Sequence, residues 1–364
     1  MGCRPGAVEG VVTLGDRAVL VTGHTGFKGG WLAMWLAELG ARVHGYALDP
    51  PTEPSLFEVA GVGRLLASDT RADLRDLPAL TAALDQIQPE VVFHLAAQPL
   101  VSEGYRDPVG TIATNVLGTA HLLEAIRAVP TVRAVLIVAT DKVYENRETG
   151  HAFSEADPLG GHDPYSASKA ATEIMVASYR SSFFGTDGHP ARIASARAGN
   201  VIGGGDWAEH RLVPDCLRAF ADSEPVHLRR PQAVRPWQHV LGPLAGYLIL
   251  ADRLLGEGGD AFARAWNFGP DPSDYATVRE VAEAVAARWG GSAKVVHDGD
   301  PPWDEADLLR LDSTRARAEL GWRPRWSLDQ TLEQTVAWHR AWLSGDDMAA
   351  VSAEQIAAYG VTDQ

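Results

Sequence analysis

Cysteine is nearly absent from this chain, which carries only Cys3 and Cys216. Two thiols build neither a disulfide framework nor a cysteine-based metal site, and such scarcity suits a reducing compartment, so a cytoplasmic protein is expected. The twelve histidines show no metal-ligand spacing, so no metal is expected either. Long apolar runs are missing: no stretch reaches the roughly 18 residues that a membrane span requires. The first dozen residues lack the apolar core of a secretory signal, and residues 1–15 read as a disordered lead-in. Positive charge is in deficit, with 32 Lys and Arg against 47 Asp and Glu and a formal net charge of −15. That balance argues against nucleic acid or an anionic membrane as the main partner, and an anionic substrate would need a local group of basic residues. No internal repeat or low-complexity run is present.

What is present begins with residues 18–22, Ala-Val-Leu-Val-Thr, an apolar strand. It runs into Gly23-His24-Thr25-Gly26-Phe27-Lys28-Gly29, and residues 30–39 then place Trp31, Leu32, Trp35, Leu36 and Leu39 at helical spacing. Strand, glycine-rich turn and helix is the context in which glycines let a backbone approach a pyrophosphate, with free helix N–H groups facing it. Lys28 would add a charge near the phosphates. Residues 42–47 read as the second strand, with Asp49 twenty residues after Gly29. A carboxylate there suits a ribose diol and repels a 2′-phosphate, favouring NAD over NADP, although Asp49-Pro50-Pro51 also fits a simple turn. Asp73 and Leu74 lie where a third strand would reach the adenine edge; Asp73 also fits a helix cap before residues 77–84.

Residues 91–95 form the next strand and end in Ala96-Ala97-Gln98, small residues that leave room for a flat cofactor over Leu95, Ala96 and Ala97. His94, inside that strand, reads as a hydrogen-bonded core residue. A helix over 111–128 carries Asn115, residues 134–138 are a buried strand, 164–184 a helix, and 191–197 a strand closing the sheet. The repeated alternation predicts an α/β fold, a Rossmann-type doubly wound parallel sheet over residues 16–197. Residues 198–364 are expected to be mainly a smaller C-terminal α+β substrate-binding lobe, with a segment near 236–255 returning to the first domain. Helices are expected over 211–220, 278–289 and 328–343.

Chemistry concentrates in residues 135–169. Tyr165 and Lys169 are four apart and share a helix face, where an ammonium beside a phenol would favour the phenolate. Thr140, Asp141 and Lys142 follow the buried strand, at the carboxyl end where open α/β sheets hold ligands. Farther on, Arg229, Arg230 and Arg235 gather in Arg-Arg-Pro-Gln-Ala-Val-Arg-Pro-Trp, a diphosphate clamp or a solvated charged face.

The glycine turn, Thr140 with Tyr165-x-x-x-Lys169, and the appended lobe resemble the extended short-chain dehydrogenase/reductase superfamily. Within it the chain is most similar to the CDP-glucose 4,6-dehydratases of bacterial deoxysugar pathways, through Thr-Asp-Lys-Val-Tyr-Glu-Asn, Gly-Gly-His-Asp-Pro-Tyr-Ser-Ala-Ser-Lys, Gly-Asn-Val-Ile-Gly-Gly-Gly-Asp-Trp and Arg-Pro-Trp-Gln-His-Val-Leu. The resemblance implies a lyase using NAD on CDP-glucose: Tyr165, helped by Lys169 and Thr140, takes the C4 hydroxyl proton during oxidation. Asp141 then supplies the acid for the departing C6 oxygen, and Lys142 stands where related dehydratases carry a glutamate base for C5. It also implies Gln98, Asn200, Arg230, Arg235 and His239 on the substrate, with a core or interface place equally open for His239. Helices 111–128 and 164–184 resemble the pair that forms a four-helix interface, implying a homodimer or a dimer of dimers. A C4 epimerase would share the tyrosine and cofactor but need no proton-handling pair after the threonine. One stretch departs from the family: Thr149-Gly150-His151-Ala152-Phe153-Ser154 replaces an aromatic-rich Trp-Val-Trp-Gly-Tyr-Arg, so the border of the sugar is expected to differ.

Overall fold

Short runs of Val, Ile, Leu and Ala, each followed by a helical stretch, form a parallel sheet buried on both faces. The computed structural model describes residues 14–185, 188–291, 293–297 and 308–360. Residues 1–13 of the expected lead-in lie outside these, whereas Leu14 is fully buried in the core. The strands are β1 (Ala18–Thr22), β2 (Arg42–Ala47), β3 (Ser68–Arg71), β4 (Val91–His94), β5 (Ala134–Thr140), β6 (Arg192–Ala198) and β7 (Ala265–Phe268). They lie in the order β7-β6-β5-β4-β1-β2-β3, every pair parallel. Residues 191–197 therefore do not close the sheet. β7, from the C-terminal half, pairs with β6 from Ala265↔Ser195 to Phe268↔Ala198.

The principal helices are α1 (Phe27–Glu38), α2 (Leu77–Ile87), α3 (Gly118–Arg127), α4 (Pro164–Phe183), α5 (Leu212–Ala221), α6 (Leu241–Leu255), α7 (Val278–Trp289), α8 (Leu328–Ser344) and α9 (Met348–Gly360). One face of the sheet is covered by α1, α6 and α9 around Trp31, Trp35, Leu244, Leu248 and Tyr359. The other carries α2, α3 and α4 around Leu80, Leu84, Leu122, Ile126 and Val176. The helix expected over 111–128 is broken: Pro108–Ile112 is followed by a π turn, Ala113–Leu117, before α3 begins. Such a turn widens the helix by one residue and re-aims a side chain, here Asn115.

The smaller lobe packs α5, α7 and α8 around Val213, Leu217, Phe220, Val281, Val285, Leu332 and Val336. It is edged by the parallel pair Val226–Leu228 and Val295–His297 and by the antiparallel pair Val234–Pro236 and Tyr275–Thr277. Among the described residues no helix is long and apolar enough to cross a membrane. What positions the site is the reversal of strand order between β1 and β4. The chain leaves these neighbours in opposite directions, opening a crevice at their carboxyl ends.

Candidate active site

The glycine turn forms one wall of that crevice. Gly23 has φ +75°, and a Cβ on it would lie 2.7 Å from the Ala96 nitrogen; one on Gly29 would lie 2.1 Å from the Gly23 oxygen. Both positions demand glycine. Gly26 begins α1 with no side-chain cap, so the first N–H groups of the helix remain available to a pyrophosphate. The Thr22 hydroxyl accepts from Leu95 and Ala96 N–H, each at 3.2 Å, fixing the opposite wall. A backbone drawn this close, with helix N–H groups aimed into a crevice, fits a dinucleotide.

Two side chains of the turn point elsewhere than expected. The His24 ring lies wholly beneath the turn, its Nε2 2.9 Å from Asp69 Oδ1 and its face against Gly45, where a Cβ would meet it at 2.6 Å. Burial lowers its pKa, and only its backbone remains to face a cofactor. Lys28 lies over the Tyr247 ring, 5.8 Å from its centroid. Burial, together with the charges of Arg211 and Lys169, lowers its pKa to about 7 against the opposing charge of Asp141. Its amine thus belongs to the catalytic end. Phe27 packs toward Gly203.

Asp49 stands at the exit of β2, its side chain 90% exposed and 3.4 Å from Arg71. Asp73 is held by Arg75 at 2.6 Å, and the Leu74 side chain is buried against Gly118. Asn115 donates to the Gln98 carbonyl at 3.1 Å and to Ser168 Oγ at 2.8 Å, joining the crevice wall to the catalytic helix. His94 is the core residue expected, between Thr22 (2.7 Å) and Thr119 (3.0 Å), with burial taking its pKa down to about 3.

Helix α4 starts on Asp163, whose carboxylate caps Ser166 N–H at 3.0 Å, with Pro164 in the first turn. This start sets Tyr165 and Lys169 against the end of β5. Burial pushes the Tyr165 phenol up to about 12; a hydrogen bond with Thr140 pulls it down, Asp141 raises it and Arg211 lowers it. Lys169 donates to the Val138 carbonyl at 3.1 Å. Burial brings its pKa to about 8 against the pull of Glu173. The groups that lower the phenol's pKa are thus the Thr140 hydroxyl and Arg211, while the lysine is engaged with the strand.

Asp141 is 2% exposed. Its Oδ1 accepts from Thr140 at 3.0 Å, whereas Oδ2 is buried with no partner and faces Gly199, where a Cβ would approach to 3.0 Å. Burial raises its pKa, with Lys142, Thr140 and Arg235 opposing in that order. Burial makes such a carboxyl a better proton donor than an exposed one. Lys142 is the partly buried residue next to it.

The three arginines of the expected clamp have different surroundings. Arg229 turns to Asp215 (3.8 Å) and His210 (3.3 Å), Arg230 sits on a left-handed turn at φ 49°, and the buried Arg235 lies within electrostatic reach of Asp141. Asn200 accepts Gln238 N–H at 3.0 Å on its backbone. Two expected substrate contacts are turned inward. The Gln98 side chain donates to Thr111 at 2.9 Å and accepts from Leu100 N–H at 2.5 Å. His239 is buried between Trp31 and Trp326, with burial taking its pKa down to about 3.

Two groups of the site carry no mark in the sequence. Arg211, held at 2.8 Å by the buried Asp206, sits at the start of α5 and sends its charge toward Tyr165. Tyr144 joins a buried chain behind the catalytic helix: Arg197 donates to it at 2.8 Å, and Glu173 binds Arg197 at 2.8 Å and Ser195 at 2.6 Å. What each does at the site depends on a residue distant in sequence, Tyr165 for Arg211 and Arg197 for Tyr144, so no local spacing reveals it.

This chain and its architecture match a known class. Residues 19–260 match the model of the NAD dependent epimerase/dehydratase family. The chain is 47% identical to CDP-glucose 4,6-dehydratase of Salmonella typhimurium over 94% of its own length and 96% of the relative's. It is 32% identical to a dTDP-glucose 4,6-dehydratase of Streptomyces griseus over 89% and 95% of the two chains. The crystal structure of Thermus thermophilus UDP-glucose 4-epimerase in complex with NAD superimposes with a TM-score of 0.75, at 27% identity, covering 88% of this chain and 98% of that one. The chain belongs to the NAD dependent epimerase/dehydratase family.

Proposed function

We propose that this protein is a hydro-lyase converting CDP-glucose to CDP-4-keto-6-deoxyglucose. The observation that carries the reading is the Asp141 carboxyl, buried at the end of β5 beside Tyr165 with one oxygen unpartnered. Oxidation at C4 alone gives such a group nothing to do, whereas elimination of water needs an acid there. The nucleotide rests on the likeness to the Salmonella enzyme.

Bound NAD supplies the acceptor that oxidises C4 and the donor that later reduces C6. Tyr165, hydrogen-bonded to Thr140 and facing the Arg211 charge, takes the proton of the C4 hydroxyl. The resulting ketone acidifies C5–H. Asp141 protonates the departing C6 hydroxyl, which leaves as water, while the adjacent Lys142 takes the C5 proton, holds the charge of the enolate as an ammonium and returns the proton to C5 when C6 is reduced. Lys169 orients the reacting end from its bond to β5. Gly23, Gly26, Gly29 and the N-terminus of α1 hold the pyrophosphate of NAD; Asp49 meets the adenosine ribose, and Asp73 and Leu74 border the adenine. Asn200, Arg230 and Arg235 hold the diphosphate of the sugar nucleotide. On this reading residues 16–197 carry the cofactor and 198–364 mainly the substrate, with α6 returning to the sheet. The protein works in the cytoplasm as a homodimer or dimer of dimers.

The test is mass spectrometry of the purified protein incubated with NAD and CDP-glucose, with UDP-glucose and dTDP-glucose in parallel. A product lighter by one water from CDP-glucose alone supports the reading. Unchanged mass with inversion at C4 by NMR would make the protein an epimerase instead.

A further inference from the structure

Beyond the reaction, the far end of the crevice holds a cation that the glycine motif does not account for. Arg71 is the last residue of β3, in register with Ala47 at the end of β2. Its Nε and Nη2 form a fork on Asp69, at 2.7 and 2.8 Å, and its Nη1 points to Asp49 Oδ1 at 3.4 Å. The guanidinium lies over the Phe57 ring, 4.6 Å from the centroid, and Asp69 is anchored from behind by His24 at 2.9 Å. Thr25 of the glycine turn donates to the Leu48 carbonyl at 3.0 Å, binding this corner to the pyrophosphate cradle. The planar group is thus fixed in orientation, with one edge committed to Asp69 and one nitrogen presented beside Asp49.

That corner is where a doubly wound fold meets the adenosine ribose, and where an arginine receives the 2′-phosphate of NADP. A forked, always charged guanidinium is well suited to that phosphate. Here two carboxylates oppose one arginine, so the group of three carries a net negative charge.

We propose that Arg71 is a masked 2′-phosphate-binding residue, and that selection of NAD over NADP rests on Asp49 and Asp69 together neutralising it. Asp49 is the removable part of the mask, because it is exposed and makes the longer contact, whereas Asp69 holds the arginine in place. The inference rests on NAD being the cofactor.

Isothermal titration of NAD and NADP into the full-length protein tests it without reference to turnover. Wild type is expected to bind NAD and to bind NADP at least about tenfold more weakly. Asp49→Ser is expected to tighten NADP binding by roughly tenfold or more, the worth of a charge-assisted hydrogen bond. Asp49→Ser/Arg71→Leu is expected to lose that gain while binding NAD as Asp49→Ser does. Asp49→Ser/Arg71→Lys, which keeps the charge without the fork, should retain part of the gain and covers the case in which leucine impairs folding. If removing Arg71 leaves the NADP gain intact, or if Asp49→Ser gives no gain, the proposal fails. Failure of wild type to bind either dinucleotide would instead overturn the assignment of the cofactor.

Discussion

Phe153 stacks face to face on Tyr144, with ring centroids 4.9 Å apart and planes within 5°. Phe153 thereby anchors in the core the stretch that departs from its family, while Thr149, His151 and Ala152 stay exposed. The Phe153 N–H donates to the Arg310 carbonyl at 2.9 Å, and its carbonyl accepts from Asn267 at 2.9 Å and Asp312 N–H at 2.8 Å. His151 edges the same ring while pairing with Asp157 at 3.1 Å. Through Phe153 the stretch braces the Tyr144 end of the catalytic turn. Phe153→Ala should accordingly cost about 3 kcal/mol of stability, as buried Phe→Ala changes do. Urea denaturation reads this, and a loss under about 1 kcal/mol would place the ring outside the tightly packed core.

Asp141→Asn should separate the two halves of the reaction. The amide cannot donate the proton that the C6 oxygen needs, but Tyr165 and Thr140 are untouched. Turnover is expected to fall by roughly 10²–10⁴, the usual worth of a general acid. NADH absorbance should meanwhile build up on mixing with substrate, because oxidation at C4 continues. A variant that turns over normally would remove Asp141 from the mechanism.

Lys28 gives a prediction in pH. Its pKa is about 7 in the folded chain against an ordinary 10.5, so burying its charge opposes folding. Below about pH 7 the amine is charged in both states and the whole cost is present. Between about pH 7 and 10.5 the unfolded chain binds more protons than the folded one, so the cost shrinks as pH rises. Lys28→Met should therefore melt several degrees above wild type in mild acid, with the gap closing toward pH 10.5. A gap independent of pH would show that packing, not charge, separates the two proteins.

The proposed dimer has its own test. Val109, Ile112 and Leu117 before α3 and Ile174 on α4 are exposed apolar side chains on neighbouring helices. Ile174→Glu should halve the mass measured by light scattering if they form a self-association surface. An unchanged mass would move the interface elsewhere.

Features written in local periodicity are legible in the sequence itself. Strand β1, the glycine turn and the helix that carries Tyr165 and Lys169 each depend on neighbours in sequence and are found where expected, while α1 begins three residues before the expected 30–39. What is not legible depends on contacts across the fold. Ala265-Trp-Asn-Phe268 is too short to show a strand period and is a strand only because β6 offers it an edge. Helix α9 is rich in alanine and has no strong apolar face, and it is held by Tyr359 against Trp35 and Trp326. The directions of Lys28, His24 and Gln98 are equally out of reach. A residue type beside a motif does not say which side of the backbone offers the better partner.

The placement of β7 bears on how the molecule comes into being. An emerging chain can lay down β1 to β6 in order, yet until Phe268 has been synthesised β6 remains an open edge of unpaired amides and carbonyls. Closing that edge requires a long-range contact across the stretch between Ala198 and Ala265, the kind of step that is slow and exposes partly folded material to aggregation. The strands that cradle the dinucleotide are made early, but the sheet supporting them is finished only after the chain has passed through the first part of the smaller lobe, α5 included. The two halves thus arrive as one folding event rather than as independent modules.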